Sequence, residues 1–510
     1  MEYVIGVDLG TSGTKTVLFD RQGHTVASSL VEYPMYQPYN GWAEQDPEDW
    51  VQAAFTTIRD VLTKSQVDPA DIAGLSLSGQ MHGLVLTDDA GKALGRAIIW
   101  CDNRTIESCE TFTRLVGGRE ELIRISANPA LTGFTAGKIL WTRDHLPELW
   151  ARARHIQLPK DYVRLRLTGE YFMEMSDASG TNLLDVPNRC WSREICERVG
   201  LDMTMLPTLL ESTQVAGHIS AEAEKLTGLK AGMPVVAGAG DNMAAAIGTG
   251  VVETGKAFTT IGTSGVVFAH SDTVQIDPAG RVHTFCAAVP GCYTVMSASL
   301  AAGLSLKWTR DRFFQAEIQA AEAMGTDSYV LMNQEAALSP IGANRLIYLP
   351  YLMGERSPLL DPEARGAFIG LSAMHTRRDI VRSVMEGVMY SQWQNLNILR
   401  AMHVAPDSML ACGGGAKSPF WRQMMADMYD MPVSTLQNTE GPALGAAILA
   451  GVGAGLYSDV PSACHELLRE SEPLLPDAER HAQYSKYFDL YQQLYPALKD
   501  AYHQLANLDA

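Results

Sequence analysis

At 510 residues the chain is too long for one ordinary hydrophobic core, and 46% apolar with 19% charged residues describes a globular protein of two domains, with no long disordered stretch. A formal charge of −18 surrounds it with a negative field, which does not suit nucleic acid or an anionic membrane and fits a neutral small-molecule substrate better. Eight cysteines stand apart, without a C-x-x-C pair or clustered histidines, which sets aside zinc and disulfide frameworks.

In chain order, Tyr3 to Asp8 reads as a β-branched strand, Gly10 to Gly13 as a tight turn, and Lys15 to Asp20 as a strand returning beside the first. Arg21-Gln-Gly23 then turns the chain into a third strand, Thr25 to Ser29. Trp50 to Thr63 follows with helical apolar spacing at Trp50, Ala54, Ile58 and Leu62, so the architecture is α/β. The N-terminus carries Glu2 and Asp8 and no basic run, and the apolar stretch Ala443 to Leu456 is too short to cross a bilayer. Cytoplasm is the default location.

An internal repeat is the strongest organisational signal. Gly10-Thr11-Ser12-Gly13 recurs as Gly262-Thr263-Ser264-Gly265, each copy between strand-like runs, which predicts two domains of one plan. Between the copies, Gly232 to Asp241 mixes a buried-strand pattern with several glycines and one proline, and the domains are divided there into 1–236 and 237–510. The stretch from Phe313 to Asn344 has the look of an insertion. Near the end, Tyr484, Phe488, Tyr491, Tyr495, Leu498, Tyr502 and Leu505 fall at spacings of three and four, an amphipathic helix that Pro496 is able to bend.

A glycine-rich turn between strands points backbone N–H groups into a concave nest that holds phosphate oxygens, and Thr11, Ser12, Thr263 and Ser264 add hydroxyl donors. A Walker A loop is a different object: it runs into a helix, whereas Gly13-Thr14-Lys15 runs into the strand-like Val17-Leu18-Phe19. Asp8, at the carboxyl end of the first strand, is placed to hold Mg²⁺ beside such a nest, and Lys15 to reach the same phosphates, with turn capping and a solvated charge as their plainer alternatives. Asp241, after Gly238-Ala-Gly240, is the candidate general base; capping the helix that begins at Asn242 is its plainer role, and a helix N-terminus would keep its carboxylate ionised.

Asp8 to Lys15 resembles the first phosphate motif of the sugar kinase, Hsp70 and actin superfamily, Thr260 to Gly265 the second, and Cys412 to Trp421 the adenosine motif. Gly133-Phe-Thr-Ala-Gly-Lys-Ile-Leu-Trp141, together with Gly366 to Leu371 and Asp379 to Glu386, resembles the signatures of the FGGY carbohydrate kinases, and the matches run from residue 4 to about 450. The family implies two RNase H-like domains of the actin, hexokinase and Hsp70 type, with a central active-site cleft. Within it, Ser78 to Gly83, Trp100 to Arg104 and Gly238 to Asn242 resemble the sugar site of the members that act on D-xylulose, with Gly83 and Asn242 departing from the gluconate pattern.

By that resemblance Asp241 accepts the proton of the acceptor hydroxyl, with Asp8 as its catalytic and Mg²⁺-holding companion, and Met81, His82, Asp241 and Asn242 line the sugar pocket. ATP falls to Thr11, Ser12, Lys15, Gly262, Thr263, Gly413 and Gly414. Trp100 and the loop from Tyr351 to Ser357 lie outside the expected site residues, and the expected self-association is a homodimer. The rivals are a family kinase for ribulose, gluconate or glycerol, and a chaperone- or filament-type ATPase that phosphorylates no sugar.

Overall fold

The computed structural model describes residues 2–437 and 440–508. In the first lobe, β1 (Tyr3–Leu9), β2 (Gly13–Asp20) and β3 (Thr25–Glu32) form an antiparallel meander, as the β-branched runs and glycine turns predict. β4 (Ile72–Gly79) lies parallel to β1, β6 (Pro234–Gly240) lies parallel to β4, and β5 (Val215–His218) closes the edge. The sheet order is β5-β6-β4-β1-β2-β3. Helix α1 (Pro47–Ser65), capped by Asp46 and with proline in its first turn, buries Trp50, Ala54 and Ile58 against this sheet.

The second lobe repeats the plan. Its sheet has the order β9-β10-β8-β7-β11-β12, from β7 (Lys256–Ile261), β8 (Gly265–Ser271), β9 (His283–Cys286), β10 (Tyr293–Ser299), β11 (Ser408–Cys412) and β12 (Val433–Ser434). β7 and β8 are antiparallel and β11 runs parallel to β7, as β4 does to β1. Five strands therefore keep one order and one set of directions in both sheets, β10-β8-β7-β11-β12 matching β3-β2-β1-β4-β6, and the sheets differ in the strand added at one edge. The two-lobe α/β expectation holds, and the short repeat of Gly-Thr-Ser-Gly marks the same hairpin in each sheet.

The division expected between residues 236 and 237 falls inside β6, which stays in the first sheet to Gly240 while the second sheet begins at Lys256. At Gly238 (φ +85°) the pairing of β6 with β4 shifts register, and an added Cβ would collide with the carbonyl of Leu77.

Helix α2 (Asp241–Gly248) leaves β6 and packs against a helix from much later in the chain. In the second lobe the long α3 (Arg377–Ala401) forms the spine of the core, and α4 (Gly441–Gly453) crosses back beneath the first sheet. The small residues of α4 let backbones meet: a Cβ on Gly6, Gly248 or Gly445 would strike the facing main chain. The stretch from Phe313 to Asn344 holds two helices, Gln315–Met324 and Ser328–Ala337, the latter packed on α3. The terminal α5 (Ala478–Ala506) runs through Pro496 and buries Tyr484, Phe488, Tyr491 and Tyr502, as its spacing predicts, while Leu505 is 60% exposed because the helix has by then left the core. Among the described residues no helix is long and apolar enough to cross a membrane.

Candidate active site

The ends of β1, β4 and β6 converge. Asp8 accepts a hydrogen bond from the Ser78 hydroxyl across the β1/β4 pairing at 2.9 Å, and burial raises its pKa against the pull of Ser78 and Lys15. Asp241 is the first residue of α2, with Gly240 at the capping position, so the capping role is not the one it fills. Its Oδ1 accepts from the backbone N–H of Asn242 at 2.7 Å and from the Asn242 side-chain amide at 3.0 Å. Its Oδ2 has no partner among the described residues. Burial first, and the neighbouring Asp8 charge second, push Asp241 up to about 7. That reverses the expectation of a carboxylate held firmly ionised: loss of water and a like charge outweigh the N–H that the helix start provides.

A cavity of about 1320 Å³ opens in front of Asp241 between the lobes. Five of the predicted residues line it together: Thr11, Met81, His82, Asp241 and Asn242. The second lobe adds Ser264 of its glycine turn, so both copies of the repeat face one space. Trp100 lines it too, its indole N–H donating to the Thr11 hydroxyl at 2.9 Å. Asp8, Ser12, Lys15, Gly262, Thr263, Gly413 and Gly414 lie outside this wall. Of these, Lys15 is 2.5 Å from Glu440 at the approach to α4. Ser12, Thr263, Gly413 and Gly414 are exposed, and pairing of Thr260 with Cys412 sets the Gly413-Gly414 turn directly beside the second glycine turn. Of the predicted nucleotide residues of the second lobe, Thr263, Gly413 and Gly414 thus form one exposed cluster beside the half-buried Gly262.

His82 has φ +71°, a conformation that costs a side-chain-bearing residue energy and needs support. Its Nδ1 lies 2.8 Å from the Gly180 carbonyl, and burial drives its pKa down to about 3. The imidazole is therefore neutral, Nδ1 carries the hydrogen, and Nε2 is an acceptor on a residue that lines the cavity. The His82 carbonyl accepts from Lys138 Nζ at 2.9 Å and from the Thr135 hydroxyl at 3.1 Å, and Lys138 also reaches the Gly133 carbonyl at 2.6 Å. Lys138 is fully buried, and that burial pushes it down to about 7. Lys138 falls in the stretch Gly133 to Trp141, where the sequence singles out no role for it; a lone lysine inside an apolar helical run is the available signal.

A buried charge network, also missed, underlies β4 and β6. Lys160 lies 2.5 Å from Asp177, 2.9 Å from Glu174 and 3.5 Å from Asp161, and Arg164 lies 3.0 Å from Asp161, all without solvent exposure. Burial works against the Lys160 charge, and the carboxylates of Asp161, Asp177 and Glu174 together overcome it and raise its pKa. Glu174 accepts from the Ser176 hydroxyl and backbone, and the same hydroxyl accepts from the backbone N–H of Gly240, the residue before Asp241. A Cβ on Gly79 would meet Lys160 at 2.7 Å, so the network sits directly behind the strand ends.

Residues 3–248 match the FGGY family of carbohydrate kinases, N-terminal domain, and residues 257–454 match the C-terminal domain of the same family. The chain is 39% identical over 500 residues to a xylulose kinase from Bacillus subtilis, covering 98% of each, and 31% identical over 512 residues to a gluconokinase from the same organism, covering 99% of this chain and 98% of the relative. Among solved structures, a xyloylose kinase from Brucella ovis superposes with a TM-score of 0.90 at 34% identity, covering 98% of this chain and 100% of that one.

Proposed function

This chain belongs to the FGGY family of carbohydrate kinases, and from that premise we propose that it transfers the γ-phosphoryl group of ATP to a ketopentose, D-xylulose before others, giving the 5-phosphate. The observation that carries this reading is the shared cavity, which Asp241, with no partner for its Oδ2 among the described residues, lines together with His82, Asn242 and Ser264. Phosphoryl transfer asks the protein mainly to align an acceptor hydroxyl with the γ-phosphate and to offset charge, and a base near that hydroxyl completes the arrangement. Asp241 Oδ2 takes the hydroxyl proton; Asn242 fixes the other oxygen, so the carboxylate presents one free acceptor. Met81 and Trp100 offer apolar surface to the C–H face of the sugar, and His82 Nε2 accepts from a sugar hydroxyl.

The donor set at Asp8 suits a divalent cation: two carboxylates, Asp8 and Asp241, are both raised by burial, the second also by the charge of the first, and the nearest cation, Lys15, is engaged by Glu440. Asp8 would hold Mg²⁺ there, which supplies positive charge to the phosphates when bound. The hairpins at Gly10–Gly13 and Gly262–Gly265, with Gly413 and Gly414, offer backbone N–H groups and open surface to the nucleotide.

The test is ADP release and sugar phosphate formation across D-xylulose, D-ribulose, glycerol and D-gluconate. D-xylulose is expected to give the highest kcat/KM with one sugar phosphate per ADP, and Asp241→Asn to lose at least ~100-fold in kcat while keeping its fold and its sugar affinity. A preference for D-gluconate would overturn the ketopentose reading, and ADP release without sugar phosphate would overturn the kinase reading. The gluconate outcome has its own supporting observation, a guanidinium from Arg356 in the wall of the cavity.

A further inference from the structure

The loop from Tyr351 to Ser357 belongs to the second lobe, and its Arg356 lines the cavity that Met81, His82 and Asp241 of the first lobe also line. Among the described residues the Arg356 guanidinium makes no hydrogen bond and no ion pair. Arg356 is exposed to the open cleft, where its five guanidinium donors are hydrated and able to exchange that water for the oxygens of a ligand.

The loop that carries it is anchored rather than free. Glu355 is buried, and its carboxylate accepts from the backbone N–H of Leu300 at 2.9 Å and of Arg356 itself at 2.8 Å. Ser357 pairs with Ala298 through its backbone N–H at 3.2 Å and through its hydroxyl at 3.3 Å, and the same hydroxyl donates to the Arg281 carbonyl at 2.7 Å. Glu355 and Asp361 exchange backbone hydrogen bonds at 2.9 Å. These bonds pin both sides of Arg356 to the end of β10, so its side chain is delivered from a fixed base.

Its histidine neighbours are neutral, His82 from the first lobe and His283 from β9 of its own lobe. The charge of Arg356 acts on both His82 and His283, and it adds to the burial that keeps each imidazole unprotonated, at about 3. Lys138 is the other cation that faces His82, and it is committed to two carbonyls. No carboxylate other than Glu355 figures among the influences on Arg356. The wall of the cavity therefore carries a donor, Arg356, from the second lobe and a neutral imidazole with an acceptor nitrogen, His82, from the first.

We propose that Arg356 is a specificity-determining residue, whose guanidinium binds the oxygens of the acceptor at the end remote from the transferred phosphoryl group, the carbonyl and its neighbouring hydroxyl in a ketose. This rests on the assignment of Asp241 as the base, since the base marks which end of the acceptor receives the phosphoryl. A contact of this kind is made by the second lobe to a sugar seated on the first, so it also couples sugar binding to approach of the lobes.

The experiment measures sugar affinity by calorimetry and steady-state kinetics for wild type, Arg356→Gln and Arg356→Lys, with D-xylulose, with xylitol, which lacks the carbonyl, and with D-gluconate. Thermal unfolding serves as the control for folding. The expected result is a ~10- to 100-fold weaker affinity for D-xylulose in Arg356→Gln, with a smaller loss for xylitol, and partial recovery in Arg356→Lys. Unchanged affinity for every acceptor in a folded Arg356→Gln overturns the proposal, as does an equal loss for xylitol and D-xylulose. If wild type prefers another acceptor the functional reading fails, and the effect of Arg356→Gln on that acceptor still decides the role of this residue.

Discussion

The proposed sugar side, in the first lobe, and the proposed nucleotide side, in the second, are built on the same sheet plan but by opposite means. Behind Asp241 and His82 lie fully buried ionic and hydrogen-bonded side chains, Lys160, Asp161, Glu174 and Asp177 under β4 and β6, and Lys138 under His82. Around Gly262, Thr263, Gly413 and Gly414 the surface is exposed and the geometry is set by glycine backbone. A sugar is discriminated by the positions of its hydroxyls and so demands side chains held still. A triphosphate is gripped by main-chain donors, and the turn that bears them needs room for a backbone to approach.

The largest effect expected from this contrast is in the buried network. Lys160→Met removes the one cation that reaches all three buried acids and leaves Glu174 and Asp177 without one, Asp161 keeping Arg164, which costs ~3–5 kcal/mol of stability. Chemical denaturation measures it. Because Ser176 links the network to the Gly240 N–H, the same variant should weaken sugar binding at temperatures where it remains folded. A stable Lys160→Met with unaltered sugar affinity would show that the two sides of the cleft do not differ in the way described.

A smaller effect sharpens the other half. Gly413 has φ +76°, and an added Cβ would lie 2.8 Å from the Ile261 carbonyl oxygen at the end of β7. Gly413→Ala is expected to shift this turn and raise the KM for ATP by about 10-fold, with the affinity for sugar unchanged. Calorimetric titration with ATP and with D-xylulose separates the two. Loss of sugar affinity with ATP binding intact would assign the turn to the wrong ligand.

The two sides also differed in how far the sequence revealed them. The glycine turns are legible because a φ-positive or close-packed backbone restricts residue type locally: Gly10–Gly13 and Gly262–Gly265 lie between strands that pair as predicted. That Asp241, His82 and Met81 line one cavity was legible through the motifs that carry them. Lys160 and Arg356 were not, because what distinguishes them is what surrounds them. Lys160 meets Glu174 and Asp177 across 14 and 17 residues of chain, and its burial follows from the packing of strands assembled from both ends of the lobe. Arg356 reaches a pocket whose other wall lies more than two hundred residues earlier, at Met81 and His82. The direction of the Asp241 shift was missed for the same reason, since Asp8 approaches it only after β1 and β6 take their places on either side of β4.

That shift gives the smallest effect and the most delicate comparison, because it bears on activity and stability with opposite signs. A base must be deprotonated, so with Asp241 at about 7 the value of kcat/KM should rise with pH, gaining about twofold between pH 7 and 8 and falling about tenfold for each unit well below 7. Stability moves the other way. A carboxyl whose pKa is raised on folding, from 3.8 to about 7, holds its proton more tightly in the folded state than in the unfolded one. Its favourable contribution is complete below pH 3.8 and is lost as pH climbs through 7. Asp177, pushed up to about 8 chiefly by burial, acts in the same direction. Asp241→Asn should therefore flatten the decline in stability between pH 5 and 8 while abolishing the pH-dependent activity. Unfolding curves at several pH values and the pH profile of kcat/KM read the two signs separately. If wild type kcat/KM proves level from pH 5.5 to 8, Asp241 is ionised throughout, and the approach of Asp8 does not govern it.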